Sequence, residues 1–125
     1  MGAAVAMLDM RTFAKNAGIT RTLSAGSTLF AEGDPADCLY VVQSGVIEME
    51  IHGKVVDVCG PGEAIGFMSV IDGEPRTATA RVKEAAEISM IDQRRFRFMV
   101  DEVPNFAQYI MQAMAHRIRG MRQAI

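Results

Sequence analysis

Two short stretches of this chain carry side chains that could grip an anion. The first is Gly66 with the run Phe67–Ile71 behind it, and the second is Pro75-Arg76-Thr77. Gly66 follows a short apolar segment, and glycine lets backbone approach a ligand closely. The run behind it is long enough for about one helical turn, whose first amides lack an acceptor inside the helix and point outward. Arg76 adds a planar fork that bonds phosphate or carboxylate in bidentate fashion, and Thr77 adds a hydroxyl beside it. If the loop folds back, glycine, helical amides, arginine and threonine converge on one anion-sized place. If it does not, the stretch is a surface hairpin with a solvated arginine, and residue types alone leave both open.

Other chemistry is thinly represented. The two histidines, His52 and His116, lie far apart in the chain and make no metal-ligating cluster; His52 reads as an exposed strand residue and His116 as a helix-surface one. No nucleophile stands beside a base, so the chain is not expected to be an enzyme. Cys38 and Cys59 are too widely spaced for a CxxC motif, and each sits in an apolar run, which predicts two buried small residues; a disulfide between them would need an oxidising compartment. A formal net charge of −2 gives no electrostatic reason to expect nucleic acid; the local cluster Arg94, Arg95 and Arg97 reads as a solvated helix face. The start of the chain lacks a secretory pattern, and no apolar run approaches the ~20 residues of a membrane span. A cytoplasmic protein without a membrane partner is expected.

The hydrophobic period shows what must position the anion-gripping groups. Residues from about Ala4 to Asn16 carry a weak helical pattern (Val5, Leu8, Phe13), with Gly18 as a stop. From Thr20 to about Asp92 short runs are punctuated by glycine. Thr28–Glu32 ends in Gly33-Asp34-Pro35, and Cys38–Gln43 is broken by Ser44-Gly45. In Val46–His52, Ile47, Met49 and Ile51 alternate with Glu48, Glu50 and His52, so one face is buried and one is wet. His52-Gly53-Lys54 turns into Val55–Cys59, a short strand follows Gly60-Pro61-Gly62, and Arg76–Lys83 and Glu87–Asp92 complete the set. About eight short strands in ~70 residues predict a jelly roll or barrel rather than an open sheet.

The period becomes helical again at Gln93. Arg94–Glu102 forms one helix, and Val103-Pro104 marks the start of the next, with proline at a tolerated early position. Val103, Phe106, Ala107 and Ile110 supply one apolar patch that docks on the roll. Beyond it Met111, Met114, Ile118, Met121 and Ile125 follow one another at spacings of three and four, an a/d seam expected to pair with a second chain as a homodimer.

The order strand, Gly66, short helix, Pro75-Arg76-Thr77-Ala78-Thr79 resembles the phosphate-binding cassette of cyclic-nucleotide-binding domains. The upstream run Leu29-Phe30-Ala31-Glu32-Gly33-Asp34-Pro35-Ala36-Asp37-Cys38-Leu39-Tyr40 is also similar to that family's opening strands. The resemblance covers roughly residues 20–125. It implies a mainly β fold with flanking helices: an eight-stranded antiparallel β-roll, a helix at about 1–18, the roll at 20–92 and two helices at 93–125, in a single domain 1–125. It implies cAMP or cGMP as ligand and no prosthetic group. By match to the motif, Arg76 binds the cyclic phosphate with Ser69, Thr77 and the amides near Gly66 and Met68.

One position departs from the pattern. The residue after the cassette glycine is usually a glutamate that bonds the ribose 2′-hydroxyl; here it is Phe67, and Glu63, which precedes the glycine, cannot replace it. The lost contact is worth about 1.5–3 kcal/mol, roughly ten- to a hundredfold in affinity. A ligand-sensing regulatory module that binds its nucleotide weakly is therefore expected. The alternative is a nucleotide-independent interaction or dimerisation module of the same fold. Many relatives continue into a helix-turn-helix, and this chain carries no segment for a recognition helix, so direct DNA binding is not expected.

Overall fold

A six-stranded antiparallel sheet is built on two 14-residue strands, β3 (Cys38–Ile51) and β6 (Thr79–Asp92), which pair along most of their length. The computed structural model describes residues 10–124. Around the central pair lie β1 (Ile19–Leu23) and β2 (Thr28–Phe30) on β6, and β4 (Lys54–Cys59) and β5 (Ala64–Ile65) on β3. The described residues form two compact units, one running through Phe96 and the other starting at Arg97.

The mainly β architecture with flanking helices agrees with the sequence, and the count of strands has a simple cause. Cys38–Gln43 and Val46–His52 read as separate strands because Ser44-Gly45 interrupts the apolar run. In the fold they are one strand, since residues on both sides of the interruption find partners on β6, and register shifts between Val42 and Ile47 absorb the irregularity. Glu87–Asp92 and the part of Arg76–Lys83 from Thr79 onward likewise form one strand, β6, while Arg76–Ala78 belong to the loop before it.

Alternation along these strands makes the core. Ile47, Met49, Ala78, Ala80, Val82, Ala86 and Ile88 are buried with Phe30, Tyr40, Cys59 and Ile65 in one cluster, against which Leu23, Leu29, Ile51 and Met90 pack. The wet face carries Glu48–Lys83 (3.5 Å) and Glu50–Arg81 (3.2 Å) ion pairs. Such surface pairs contribute about 0–1 kcal/mol each, so burial of the apolar face, not charge, decides the register.

Helix α1 (Arg11–Ala17) packs on β3 and β6 and stops at Gly18, whose N–H bonds Ala14 O. The part of the expected N-terminal helix that contains Val5 and Leu8 lies outside the described residues, as does the Phe13 side chain. A half-buried polar chain anchors α1: Gln43 Nε2 donates to Arg11 O (2.9 Å) and to Ser89 Oγ (3.0 Å), and Ser89 Oγ meets Thr20 Oγ1 at 2.8 Å. Helix α2 (Phe67–Asp72) follows β5 and packs on β3.

Helix α3 (Gln93–Glu102) begins where Asp92 Oδ1 accepts the Arg95 N–H at 2.8 Å, an N-cap. Arg94, Arg95 and Arg97 on it are exposed, as expected. Pro104 is not in the first turn of the last helix. Val103 N–H still closes α3 on Met99 O, Asn105 adopts φ 68°, and α4 (Phe106–Ala124) starts beyond it. Proline disfavours helical backbone at the residue before it, and asparagine tolerates the left-handed region, so the turn occupies Val103–Asn105. Phe106 and Ile110 are buried, while Met111 is 60% and Ile118 56% exposed. Ile125 and the Met121 side chain lie outside the described residues.

Candidate phosphate-binding site

The loop between α2 and β6 folds back and buries Arg76, so the stretch is not a surface hairpin with a solvated arginine. Gly66 leaves β5 at φ 75°, ψ 15°, a left-handed conformation that only glycine adopts without strain, and directs the chain into α2. Ser69 O receives the Gly73 N–H to end that helix, and Asp72 Oδ1 receives the Glu74 N–H in the following turn. The chain then meets the β2–β3 turn: Gly33 N–H donates to Arg76 O and Arg76 N–H to Asp34 O, both at 2.8 Å. Glu32 N–H donates to Thr79 Oγ1 at 3.0 Å. The Arg76 backbone is thereby fixed on both sides.

From this anchor the Arg76 side chain turns inward and is only 5% exposed. Nη1 donates to Gly66 O (2.8 Å), and Nη2 donates to Cys38 O (2.8 Å) with Cys38 Sγ at 3.6 Å. The guanidinium lies over the Phe30 ring, Cζ 4.1 Å from its centroid, and 5.8 Å from the Tyr40 centroid. Its Nε is buried without a hydrogen-bond partner. No carboxylate pairs with Arg76 among the described residues. A buried charge is costly unless paired, and two carbonyl oxygens supply hydrogen bonds but no neutralising charge. Tyr40 lies in the same low-dielectric setting: burial first, then its interaction with the Cys38 thiol, pushes its hydroxyl up to about 12, against a lowering effect of Arg76.

The other expected site residues divide by exposure. Thr77 is exposed beside Arg76 in the chain, Met68 is half-buried, and Ser69 is buried on α2. Phe67 is among the largest fully buried side chains, at 1% exposure. Glu63 Oε2 accepts the Gly60 N–H (2.8 Å) in the turn before β5. His52 sits exposed at the β3–β4 hairpin with φ 52°, its N–H bonded to Glu32 Oε1 at 3.1 Å, and His116 is exposed on α4. Cys38 and Cys59 are buried and are not joined in a disulfide. No helix among the described residues is long and apolar enough to cross a membrane.

Phe30, Cys38 and Tyr40 were not singled out by the sequence as partners of Arg76. Cys38 and Tyr40 share one face of β3 by their two-residue spacing. Phe30 joins them through a long-range pairing, Phe30 with Ala80 across β2 and β6.

A glycine-started short helix, an inward arginine and a β2–β3 turn clamped onto that arginine belong to one scaffold. The model of the cyclic nucleotide-binding domain matches residues 20–103. The chain belongs to the cyclic nucleotide-binding domain family. This domain is 30% identical over 100 residues to the CRP-like cAMP-activated global transcriptional regulator of Mycobacterium tuberculosis, a match covering 75% of this chain and 44% of the regulator. Its structure is similar to the catabolite activator protein of Thermus thermophilus, with TM-score 0.79, 26% identity, and coverage of 90% of this chain and 55% of that one. It is also similar to the regulatory domain of Toxoplasma gondii PKA, co-crystallised with cAMP, at TM-score 0.63 and 32% identity over 69% of this chain and 34% of that one. The cyclic nucleotide-binding domain thus spans less than two thirds of each of these relatives.

Proposed function

We propose that this domain is a ligand-sensing regulatory module that binds a cyclic nucleotide, cAMP or cGMP, by its cyclic phosphate. One observation carries the proposal: Arg76 is a buried cation with no carboxylate partner among the described residues and with an unpaired Nε–H. Leaving a charge buried and uncompensated costs several kcal/mol, and an incoming phosphate supplies both the missing negative charge and acceptors for the remaining donors. Thr77, Ser69 and the amides near Gly66 and Met68 complete the cradle. The cAMP bound to the Toxoplasma relative supports the ligand class. Two cysteines without a disulfide fit a reducing, cytoplasmic setting. The role is binding and not catalysis.

Phe67 sets the affinity low, because a phenyl ring accepts no bond from a ribose hydroxyl. Burial of Phe67 and the occupation of Arg76 by Gly66 and Cys38 carbonyls favour a second reading, an interaction module that needs no nucleotide. In either case the exposed Met111 and Ile118 support pairing of α4 with a second copy; a monomer in light scattering at high concentration would count against that.

Calorimetric titration with cAMP and cGMP decides between the two. Saturable heat in the wild type that disappears in Arg76→Ala and weakens in Thr77→Val is expected of the sensor. Absence of heat at millimolar nucleotide in a folded wild type would leave the interaction module as the function.

A further inference from the structure

A guanidinium donates hydrogen bonds only in its own plane, so a ring can cover its face without displacing one. In this domain that face is covered by Phe30, with 4.1 Å between Cζ and the ring centroid. The distance is well inside the ~6 Å over which a cation is attracted by an aromatic face. Phe30 is itself held: it is 8% exposed, and its ring stacks on Tyr40 at 6.0 Å with 21° between the planes. The three groups form a triangle, since the guanidinium also lies 5.8 Å from the Tyr40 centroid, with Phe30 the nearer ring.

This aromatic corner explains how a cation stays in place with no carboxylate to hold it. Hydrogen bonds to Gly66 O and Cys38 O fix two points on the guanidinium, which still allows tilt about the line between them. The Phe30 ring removes that freedom. An aliphatic side chain would fill the same space but present no negative face to the cation. The Cβ that a larger residue would bring at Gly66 lies 3.3 Å from Phe30 Cε2 and 2.5 Å from Arg76 Nη1, so ring, guanidinium and glycine interlock.

We infer that Phe30 is a positioning residue for anion capture, holding the Arg76 guanidinium in the one plane from which its donors meet a phosphate. The anion-capture part rests on the nucleotide-binding reading above; the positioning part does not. The test therefore has two arms on the full chain. In the first, wild type, Phe30→Leu and Phe30→Tyr are titrated with cAMP by calorimetry. In the second, heteronuclear NMR follows the Arg76 Nε–H resonance, assigned by its loss in Arg76→Lys.

The expected result is an affinity loss of about five- to thirtyfold in Phe30→Leu. It comes with a shift of the Nε–H resonance as the ring current is removed, and both readouts are retained in Phe30→Tyr. Affinity equal to wild type in Phe30→Leu overturns the capture role, as does an equal loss in the leucine and tyrosine variants, which would mean packing alone. An unmoved Nε–H resonance overturns the positioning itself. If wild type gives no heat, the nucleotide reading fails, and the resonance still decides the positioning: moved in leucine and kept in tyrosine supports it. Should Phe30→Leu not fold, Phe30→Met replaces it with the same expectations.

Discussion

Replacing Gly66 by alanine tests whether the Arg76 guanidinium is lodged where the site requires it. Two glycines bracket α2 with nearly the same backbone, Gly66 at φ 75° and Gly73 at φ 73°. An alanine in the left-handed region costs about 1–2 kcal/mol at either position. At Gly73 nothing lies within 4 Å of the added Cβ, so that cost is the whole effect. At Gly66 the Cβ would sit 2.5 Å from Arg76 Nη1 and 3.3 Å from Phe30 Cε2. The guanidinium must leave Gly66 O, and a hydrogen bond from a charged donor is worth about 1.5–3 kcal/mol. Gly66→Ala is therefore expected to cost about 1.5–3 kcal/mol more than Gly73→Ala. Urea denaturation of both variants reads the difference from the midpoints. The excess should also shrink in a Gly66→Ala/Arg76→Ala double variant, because the side chain that clashes is gone. Equal losses at the two glycines would show that the guanidinium does not occupy the space beside Gly66, and the phosphate-site geometry would fall with it.

Three further outcomes follow from the packing. Tyr40 is raised to about 12 from an unfolded value of 10.0, so its protonated form stabilises the fold below pH 10 and that contribution is lost as pH rises toward 12; Tyr40→Phe should flatten this alkaline loss, on the order of 2 kcal/mol, in denaturation series across that range. Asp92→Ala removes the N-cap of α3 and should lower stability by about 1 kcal/mol, read by chemical denaturation, while Asp92→Asn should retain most of it. Ser89→Ala leaves Gln43 and Thr20 short of a buried partner and should cost about 1–3 kcal/mol; faster amide exchange at α1 than in wild type would locate the loss where Gln43 meets Arg11.

Much of this molecule is legible along the chain, because the signals are local. Alternation in Val46–His52 and Arg76–Lys83 named the buried face correctly, since side chains on a strand point alternately to opposite sides. Gly66 and Arg76 stood out because glycine and arginine have conformational and hydrogen-bonding properties that few residues share, and the fold brings the Arg76 guanidinium onto Gly66 O. Along the last helix Phe106 and Ile110 are buried, Met114 is half-buried, and Met111 and Ile118 are exposed.

What the chain order does not contain is the set of contacts made by distant pairing. That Ser44-Gly45 bends a strand and does not end it depends on partners forty residues away on β6. Placing Pro104 in a turn depends on the Val103 N–H closing α3 on Met99. The fate of Arg76 is the clearest case. From sequence it is a fork awaiting phosphate; in the fold it is buried against Gly66 and Cys38 carbonyls and covered by Phe30. Local sequence sets which groups a residue can offer, but a guanidinium is satisfied by whatever the sheet brings within about 3 Å of it. The residue types determined which donors Arg76 offers, and only the pairing of β2, β3 and β6 decided which groups hold it.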